Sequence, residues 1–308
     1  MHIILATDDN FVQHCCVTMT SVMENNNHVS FHIFTEGLGD KNEQILKDQA
    51  KKYNCDVHFC LIDSETAKLF PMPPEGGMHI SIATYYRLFA EIVLPETVDK
   101  AIYMDCDMVV RKSFEDLWNI DLTGYALGAV FQNDSDASLL DKDRLMIEKG
   151  YGYFNAGLLL MNLDYWRKND VTNRLFDFIR NHRDCIKQHD QDTLNAVLYK
   201  EVKPISYTWN YLPMFYWKMK KVFPSYVDYE EKVTDPANIH FVSVPKPWDF
   251  GCNHPYKKEY YKYLEMTPFK GATPKFIWRK FYNDVLKRRL IVFIAKVDVL
   301  NLRKLVKL

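Results

Sequence analysis

The chain has 308 residues, 47% of them hydrophobic, with 39 Lys and Arg against 40 Asp and Glu. That length encloses a substantial core in one large domain or two smaller ones, and the composition excludes a disordered, collagenous or disulfide-framework protein. The net charge of −1 hides an asymmetry: residues 275–308 hold ten Lys and Arg against Asp284 and Asp298, a balance of +8, while the preceding residues hold 29 basic and 38 acidic side chains. An acidic body joined to a basic tail gives no reason to expect a nucleic-acid partner and raises the question of an anionic surface.

Residues 3–6 (IILA) predict a buried first strand, with no basic segment before them to suggest a signal peptide. Asp8-Asp9-Asn10 follows, then apolar residues at 12, 17, 19, 22 and 23, spaced for a helix. FHIF (31–34) predicts a second strand, 40–53 a polar helix and VHFCLI (57–62) a third strand. The Pro- and Gly-rich segment 71–77 reads as a loop, and 80–90 as a helix. AIYM (101–104) is a strand that runs straight into Asp105-Cys106-Asp107. Strands at 126–131 and 157–161 flank an acidic stretch, 132–150, with helical potential. Long helices are expected at 165–184 and 190–199, then a late strand, 238–242, that leads into Pro245-Lys246-Pro247-Trp248.

Short apolar strands alternating with amphipathic helices predict βαβ units around a mostly parallel, mixed sheet flanked by helices. The division expected is one α/β domain over 1–267 and a basic, aromatic tail over 268–308. No run reaches the ~18 apolar residues that a transmembrane helix needs. The seven cysteines, at 15, 16, 55, 60, 106, 185 and 252, form no CxxC pair. An odd, scattered set fits a reducing compartment, where Cys serves as a small buried hydrophobe.

Asp105 and Asp107 stand two residues apart where an apolar strand ends, so both carboxylates project to one side. At the carboxyl edge of an open α/β sheet they would face the crevice where ligands bind. Two like charges so close want a divalent cation, and their hard oxygens suit Mg²⁺ or Mn²⁺; the plain alternative is a solvated turn. Asp8-Asp9-Asn10 is a second crevice-edge cluster, equally suited to an Asx turn or a helix cap. Asn155-Ala156-Gly157 reads as a turn at a strand start, with Gly chosen for backbone geometry. Asp190-Gln191-Asp192 begins a helix at the cleft edge, where capping and dipole complementation compete with a ligand role. His240, after a short strand, is a candidate third ligand, since Mn²⁺ accepts one imidazole beside carboxylates. Lys246 would then offer positive charge to a phosphate. No GxGxxG loop occurs, so no dinucleotide cofactor is expected.

Taken in order, ATDDN (6–10), ATYYRL (83–88), YMDCDMVV (103–110), YFNAGLLLMNLDYWR (153–167), HDQDTLN (189–195) and IHFVSVPKPW (239–248) resemble a known set. They are similar to retaining glycosyltransferase family 8, which contains bacterial lipopolysaccharide galactosyl- and glucosyltransferases and, more distantly, glycogenin. The likeness spans roughly residues 1–250 in collinear order. It implies a GT-A fold, a Rossmann-like nucleotide-sugar-binding domain, and a UDP-hexose donor with Mn²⁺ (Mg²⁺ as a substitute) on its diphosphate. By position, Asp105, Asp107 and His240 would hold the metal. Thr7, Asp8, Asn10 and Phe11 would surround the uridine, with Phe11 standing where the family often has Tyr. Arg87 would reach the sugar or diphosphate, Asn155 and Ala156 the donor sugar, and Lys246 the diphosphate. Asp190 and Gln191 would line the sugar near its anomeric carbon, while His79 and Pro213 would sit on the acceptor side. Ser243 departs from the pattern, because similar members carry a glycine there whose backbone approaches a phosphate.

The implied reaction moves glucose or galactose to a hydroxyl of a glycan or glycolipid acceptor and gives an α-linkage. Retention comes either from double displacement, with Asp190 or Gln191 as nucleophile, or from same-face attack. Gln is a poor nucleophile, which favours same-face attack. Two rivals remain: a sugar-nucleotide-binding protein without catalysis, and a phosphohydrolase of the haloacid dehalogenase type, whose DxD would need to lie nearer the first strand. The +8 tail, with Phe276, Trp278, Phe281, Tyr282 and an apolar run at 290–295, has the character of an interfacial anchor. That composition implies a cytoplasmic enzyme associated peripherally with the inner face of the cell membrane, its oligomeric state open.

Overall fold

A computed structural model describes residues 1–63, 82–132, 142–212, 233–242 and 245–274, together with Phe276, Trp278, Tyr282 and Leu286. The chain forms two compact units, Met1–His240 and Phe241–Leu308. In the first unit the described strands are β1 (His2–Ala6), β2 (Ser30–Thr35), β3 (Asp56–Leu61), β4 (Lys100–Met104), β5 (Met108–Val110), β6 (Leu127–Gln132), β7 (Tyr153–Asn162), β8 (Val202–Pro204) and β9 (Asn238–His240). Seven of them form a mixed sheet in the order β3-β2-β1-β4-β7-β6-β8, and β5 and β9 form a small antiparallel ribbon. β1 lies parallel between β2 and β4, whereas β7 runs antiparallel to both β4 and β6. Ile3, Ile4 and Leu5 are wholly buried, as expected of a strand covered on both faces.

The helices are α1 (Val12–Asn25), α2 (Asp40–Lys51), α3 (Ala90–Val93), α4 (Glu115–Trp118), α5 (Leu163–Lys168), α6 (Val171–Asn181) and α7 (His189–Leu198), with α8 (Lys257–Leu264) in the second unit. Among the described residues no helix is long and apolar enough to cross a membrane. All seven cysteines are free thiols.

Three sequence expectations need correction. The helix expected over 80–90 is a 3₁₀ helix, Ile82–Phe89, continued by α3. Tyr85 through Phe89 are buried one after another, a pattern that needs partners on every side rather than one amphipathic stripe. The helix expected over 165–184 is two, because Asp170 adopts a left-handed conformation (φ 53°) between α5 and α6, a geometry Asn and Asp tolerate at low cost. Asn155-Ala156-Gly157 is not a turn before a strand but the interior of the ten-residue β7. β5 and β8, three residues each, carry too little periodicity to be read from the sequence.

In the second unit Tyr260, Tyr263 and Leu264 of α8 are buried, and the Phe241 and His254 rings meet edge to face at 4.6 Å. Phe276 lies 5.0 Å from Phe250 and 6.0 Å from Trp278 by ring centroids, and Phe276, Trp278 and Tyr282 are exposed.

Candidate functional site

The carboxyl ends of β1 and β4 lie side by side, since Ile3 pairs with Ile102 and Ile4 with Tyr103. The chain leaving β1 (Thr7–Phe11) therefore emerges beside Asp105, and the Cys106 thiol donates to the Ala6 carbonyl at 3.3 Å. β5 then carries the chain away from Asp107 and pairs with β9, with Met108 opposite His240. That ribbon brings the imidazole to the carboxylates: His240 Nε2 lies 3.2 Å from Asp107 Oδ1 and 3.7 Å from Asp105 Oδ2.

One ligand atom from each of Asp105, Asp107 and His240 falls within 4.8 Å of the others, the only such group among the described residues. Gly157, in the middle of β7, forms the floor of this cluster. A Cβ there would lie 2.2 Å from His240 Cε1 and 2.9 Å from Asp105 Oδ2. Two carboxylates and an imidazole converging over a glycine fit a hard or borderline divalent cation.

Arg87, at the end of the 3₁₀ helix, is fully buried and ties the cluster to α7. Its guanidinium reaches Asp105 Oδ1 at 2.9 Å and Asp190 Oδ2 at 2.8 Å, and donates to the Ala156 carbonyl. Its Nε–H aligns with the Thr84 carbonyl at 3.0 Å, so the contact with Asp190 Oδ2 is an ion pair by distance rather than a directed hydrogen bond. Burial opposes the charge on Arg87, but Asp105 and Asp190 outweigh it and its pKa moves up. The guanidinium stacks 4.1 Å over the Tyr103 ring, whose hydroxyl donates to Asp105 Oδ1 at 3.0 Å. Burial keeps Tyr103 protonated and so a donor; Arg87 pulls the other way, and Asp105 and Asp190 add to the upward shift. Asp190, held also by the Thr84 hydroxyl, has its pKa pushed up to about 6 by burial, with Arg87 opposing.

Asn155 and Gln191 are joined. Gln191 Oε1 accepts from Asn155 Nδ2 and from the Ala156 amide, both at 3.1 Å, and Gln191 Nε2 donates to Tyr153 OH at 3.1 Å. At the start of α7 the Asp192 carboxylate accepts from the Lys187 and Gln188 amides at 2.6 Å and pairs with Arg144 at 2.9 Å, fastening the turn that leads into the helix. Asp190 and Gln191 lie on the cluster side of α7, tied there by Arg87 and by Asn155.

Asp8 and Asp9 do the structural work that such residues favour. Asp8 Oδ1 accepts from the Asn10 and Phe11 amides (2.9 and 3.1 Å), and Asp9 Oδ1 from the Gly39 amide and Asn42, which ties the loop to the start of α2. Thr7 is buried with its amide on Phe34, Asn10 is exposed, and the half-buried Phe11 ring meets His14 edge to face at 4.6 Å. Lys246 lies in the second unit, where its Nζ donates to the Phe241 carbonyl at 2.7 Å. His79, Pro213 and Ser243 lie outside the described residues, as do 133–141 and most of the tail.

Sequence reasoning passed over Thr84, Tyr103, Asn210 and Tyr153. Tyr103 and Tyr153 could have been found, since they stand two residues before Asp105 and Asn155 along β4 and β7. Thr84, against Asp190, and Asn210, against His240, reach the site only through tertiary packing.

Similar proteins are known. The description of glycosyl transferase family 8 matches residues 2–252. General stress protein A of Bacillus subtilis is 30% identical over 278 residues, covering 87% of this chain and 94% of that one. A lipopolysaccharide 1,2-glucosyltransferase of Escherichia coli is 26% identical over 297 residues, covering 92% and 84%. Among solved structures, the galactosyltransferase LgtC in complex with donor and acceptor sugar analogs aligns with a TM-score of 0.77 at 26% identity, covering 92% of this chain and all of that one. The sheet order, the strand-end carboxylates and this extent of likeness together mean that the chain belongs to glycosyl transferase family 8 and is a glycosyltransferase with the GT-A fold.

Proposed function

We propose that the chain is a retaining, Mn²⁺-dependent hexosyltransferase that moves glucose or galactose from a UDP-sugar to a hydroxyl of a glycan acceptor, forming an α-linkage. The observation that carries this reading is the Asp105–Asp107–His240 cluster, wired through Arg87 and Gly157 to Asp190, Asn155 and Gln191. Mn²⁺ held by those three ligands, with Mg²⁺ as a substitute, would supply Lewis-acid stabilisation of the negative charge on the departing UDP.

The chain's own residues do the rest. Thr7, Asp8, Asn10 and Phe11 hold the uridine, and the Lys246 charge and the Ser243 amide hold the diphosphate. Arg87, already paired with two carboxylates, orients Asp105 and the sugar hydroxyls near it. Asn155, Ala156, Asp190 and Gln191 line the sugar. Gln191 Oε1 is saturated by two donors, and Asp190 is held by Thr84 and Arg87. An amide oxygen that already accepts from two donors is a poor nucleophile, and the Arg87 ion pair holds the charge of the Asp190 carboxylate, which together support same-face attack. The bond from the anomeric carbon to UDP breaks, the acceptor oxygen bonds to that carbon on the same face, and its proton passes to the departing phosphate oxygen. The carboxylate-separation rule for glycosidases does not apply, because UDP leaves without a general acid.

On the acceptor side we place His79 and Pro213. Relatives named for lipopolysaccharide transfer support a lipid-linked acceptor. The catalytic body would then comprise 1–267, with 268–308 holding it against the cytoplasmic face of an anionic membrane through ten basic residues and exposed Phe276, Trp278 and Tyr282. The test is a screen of UDP-glucose and UDP-galactose with Mn²⁺ and envelope glycolipid extracts, with mass detection of the product. We expect one hexose added by the full chain and none by Asp107→Ala with an unchanged melting temperature. Silence with every donor would leave only sugar-nucleotide binding.

A further inference from the structure

The hydrogen bonds around the cluster fix the position of one proton. The Gly157 amide can only donate, and it donates to Asn155 Oδ1 at 3.0 Å, which identifies that atom as the oxygen. Asn210 therefore turns its amide nitrogen to Asn155 Oδ1 at 2.8 Å and its own oxygen to His240 Nδ1 at 2.9 Å. An amide oxygen only accepts, so Nδ1 carries a hydrogen, and Nε2 is turned to the gap between Asp105 and Asp107, where the lone pair of the neutral ring is aimed.

The other branch is fixed in the same way. The Ala156 amide donates to Gln191 Oε1, so Asn155 Nδ2 donates there too, and the Gln191 amide nitrogen faces Tyr153 OH. Asn210 itself is wholly buried, and its segment is clamped to β9 by Tyr211 N to Asn238 O (3.1 Å) and His240 N to Tyr211 O (3.2 Å).

We infer that Asn210 is a positioning residue. It holds His240 as the Nδ1–H tautomer with Nε2 turned to the cation, and through Asn155 it couples the cation ligands to Gln191. The inference rests on the hexosyltransferase reading for the cation and the sugar; the hydrogen on Nδ1 is assigned by the hydrogen bonds alone. A partner of this kind typically changes metal affinity on the order of 10- to 100-fold.

The test uses the full chain, with Mn²⁺ titrated in saturating UDP and free Mn²⁺ followed by electron paramagnetic resonance. Long-range ¹H–¹⁵N spectra of the metal-free, histidine-labelled protein at pH 8 read the tautomer. Asn210→Leu should weaken Mn²⁺ binding on the order of 10- to 100-fold and release His240 from the Nδ1–H form. Asn210→Asp keeps an acceptor for Nδ1–H but sets an oxygen against Asn155 Oδ1. It should retain the tautomer and near-wild-type Mn²⁺ affinity while kcat falls, with KM for the donor little changed. A folded Leu variant with wild-type Mn²⁺ affinity and tautomer overturns the inference, and so does an Asp variant whose His240 loses the Nδ1–H form. If the wild type binds no Mn²⁺ with UDP, the hexosyltransferase reading fails, and the wild-type tautomer still decides the assignment of the proton.

Discussion

Gly157 shows how much a single residue decides here. Its missing Cβ is the space occupied by the His240 ring edge and one oxygen of Asp105. Those neighbours are backed by Asn210 and Arg87, so they cannot swing aside. Gly157→Ala should therefore abolish transfer and weaken Mn²⁺ binding, with a fall in stability of about 1–3 kcal/mol from overpacking. Thermal unfolding and metal titration check this, and an active Ala variant would show that the cluster is not built as described. Gln191→Ala removes a side chain that carries hydrogen bonds to three groups, Asn155, the Ala156 amide and Tyr153. In steady-state kinetics kcat should fall on the order of 10²-fold with donor KM nearly constant, the pattern of an interaction that matters most in the transition state. At this scale the sequence exposed the residues that carry chemistry and concealed those that hold them. Asp105, Asp107 and His240 are legible from residue type and placement. Asn210 looks like any polar residue between two aromatics, and its role exists only because β9 lies beside it.

At the scale of elements, α1 braces the turn that carries Asp107. It is buried along nearly its whole length, and Thr18 Oγ1 lies within hydrogen-bond reach of both the Cys106 carbonyl at 3.0 Å and the Met108 carbonyl at 2.9 Å. These carbonyls flank Asp107. Ser21 completes the clamp, since its Oγ accepts from the Val110 amide at 2.9 Å. Thr18→Val keeps the volume but leaves the two buried carbonyls without that hydroxyl, at a cost of about 1–3 kcal/mol. Mn²⁺ affinity should fall along with the urea midpoint, because the turn that holds Asp107 loses its support. A variant that is destabilised yet binds Mn²⁺ normally would separate α1 from the site. The alternation of apolar strands and amphipathic helices was readable because burial imposes a period of two or 3.6. The break at Asp170 and the 3₁₀ turn of Ile82–Phe89 were not, since both follow from the packing of one element on another.

For the whole molecule, the clearest pH response comes from histidines that are buried uncharged. His32 has its pKa lowered to about 4, by burial first and then by His2 and His58, and His254 falls to about 4 through burial and Lys246. Their ordinary value is 6.5, so between pH 6.5 and 4 the unfolded chain binds more protons than the folded one. The stability that these two contribute is complete above pH 6.5 and is lost as the pH falls toward 4. Asp190 opposes this within part of that window: its pKa rises from 3.8 to about 6, and the folded state takes up its proton first. Two histidines against one carboxylate leave the net sign with the histidines. Urea midpoints should fall between pH 7 and pH 5, and His32→Gln should flatten that slope. An equal or steeper slope in the variant would remove His32 as a cause.

The sequence by itself determined the layered α/β architecture, the strand-end carboxylates and the membership of a known enzyme family. Each of these is written in local period, residue type or motif order, and needs no knowledge of distant neighbours. Tertiary structure alone decided that Gly157 is the floor of the cluster and not a turn. It also decided that Asp190 pairs with Arg87, and that Asn210 sets the His240 proton. These are contacts between residues far apart in the chain. A hydrogen bond's direction is fixed only when both partners, and whatever fixes each of them, stand together in space.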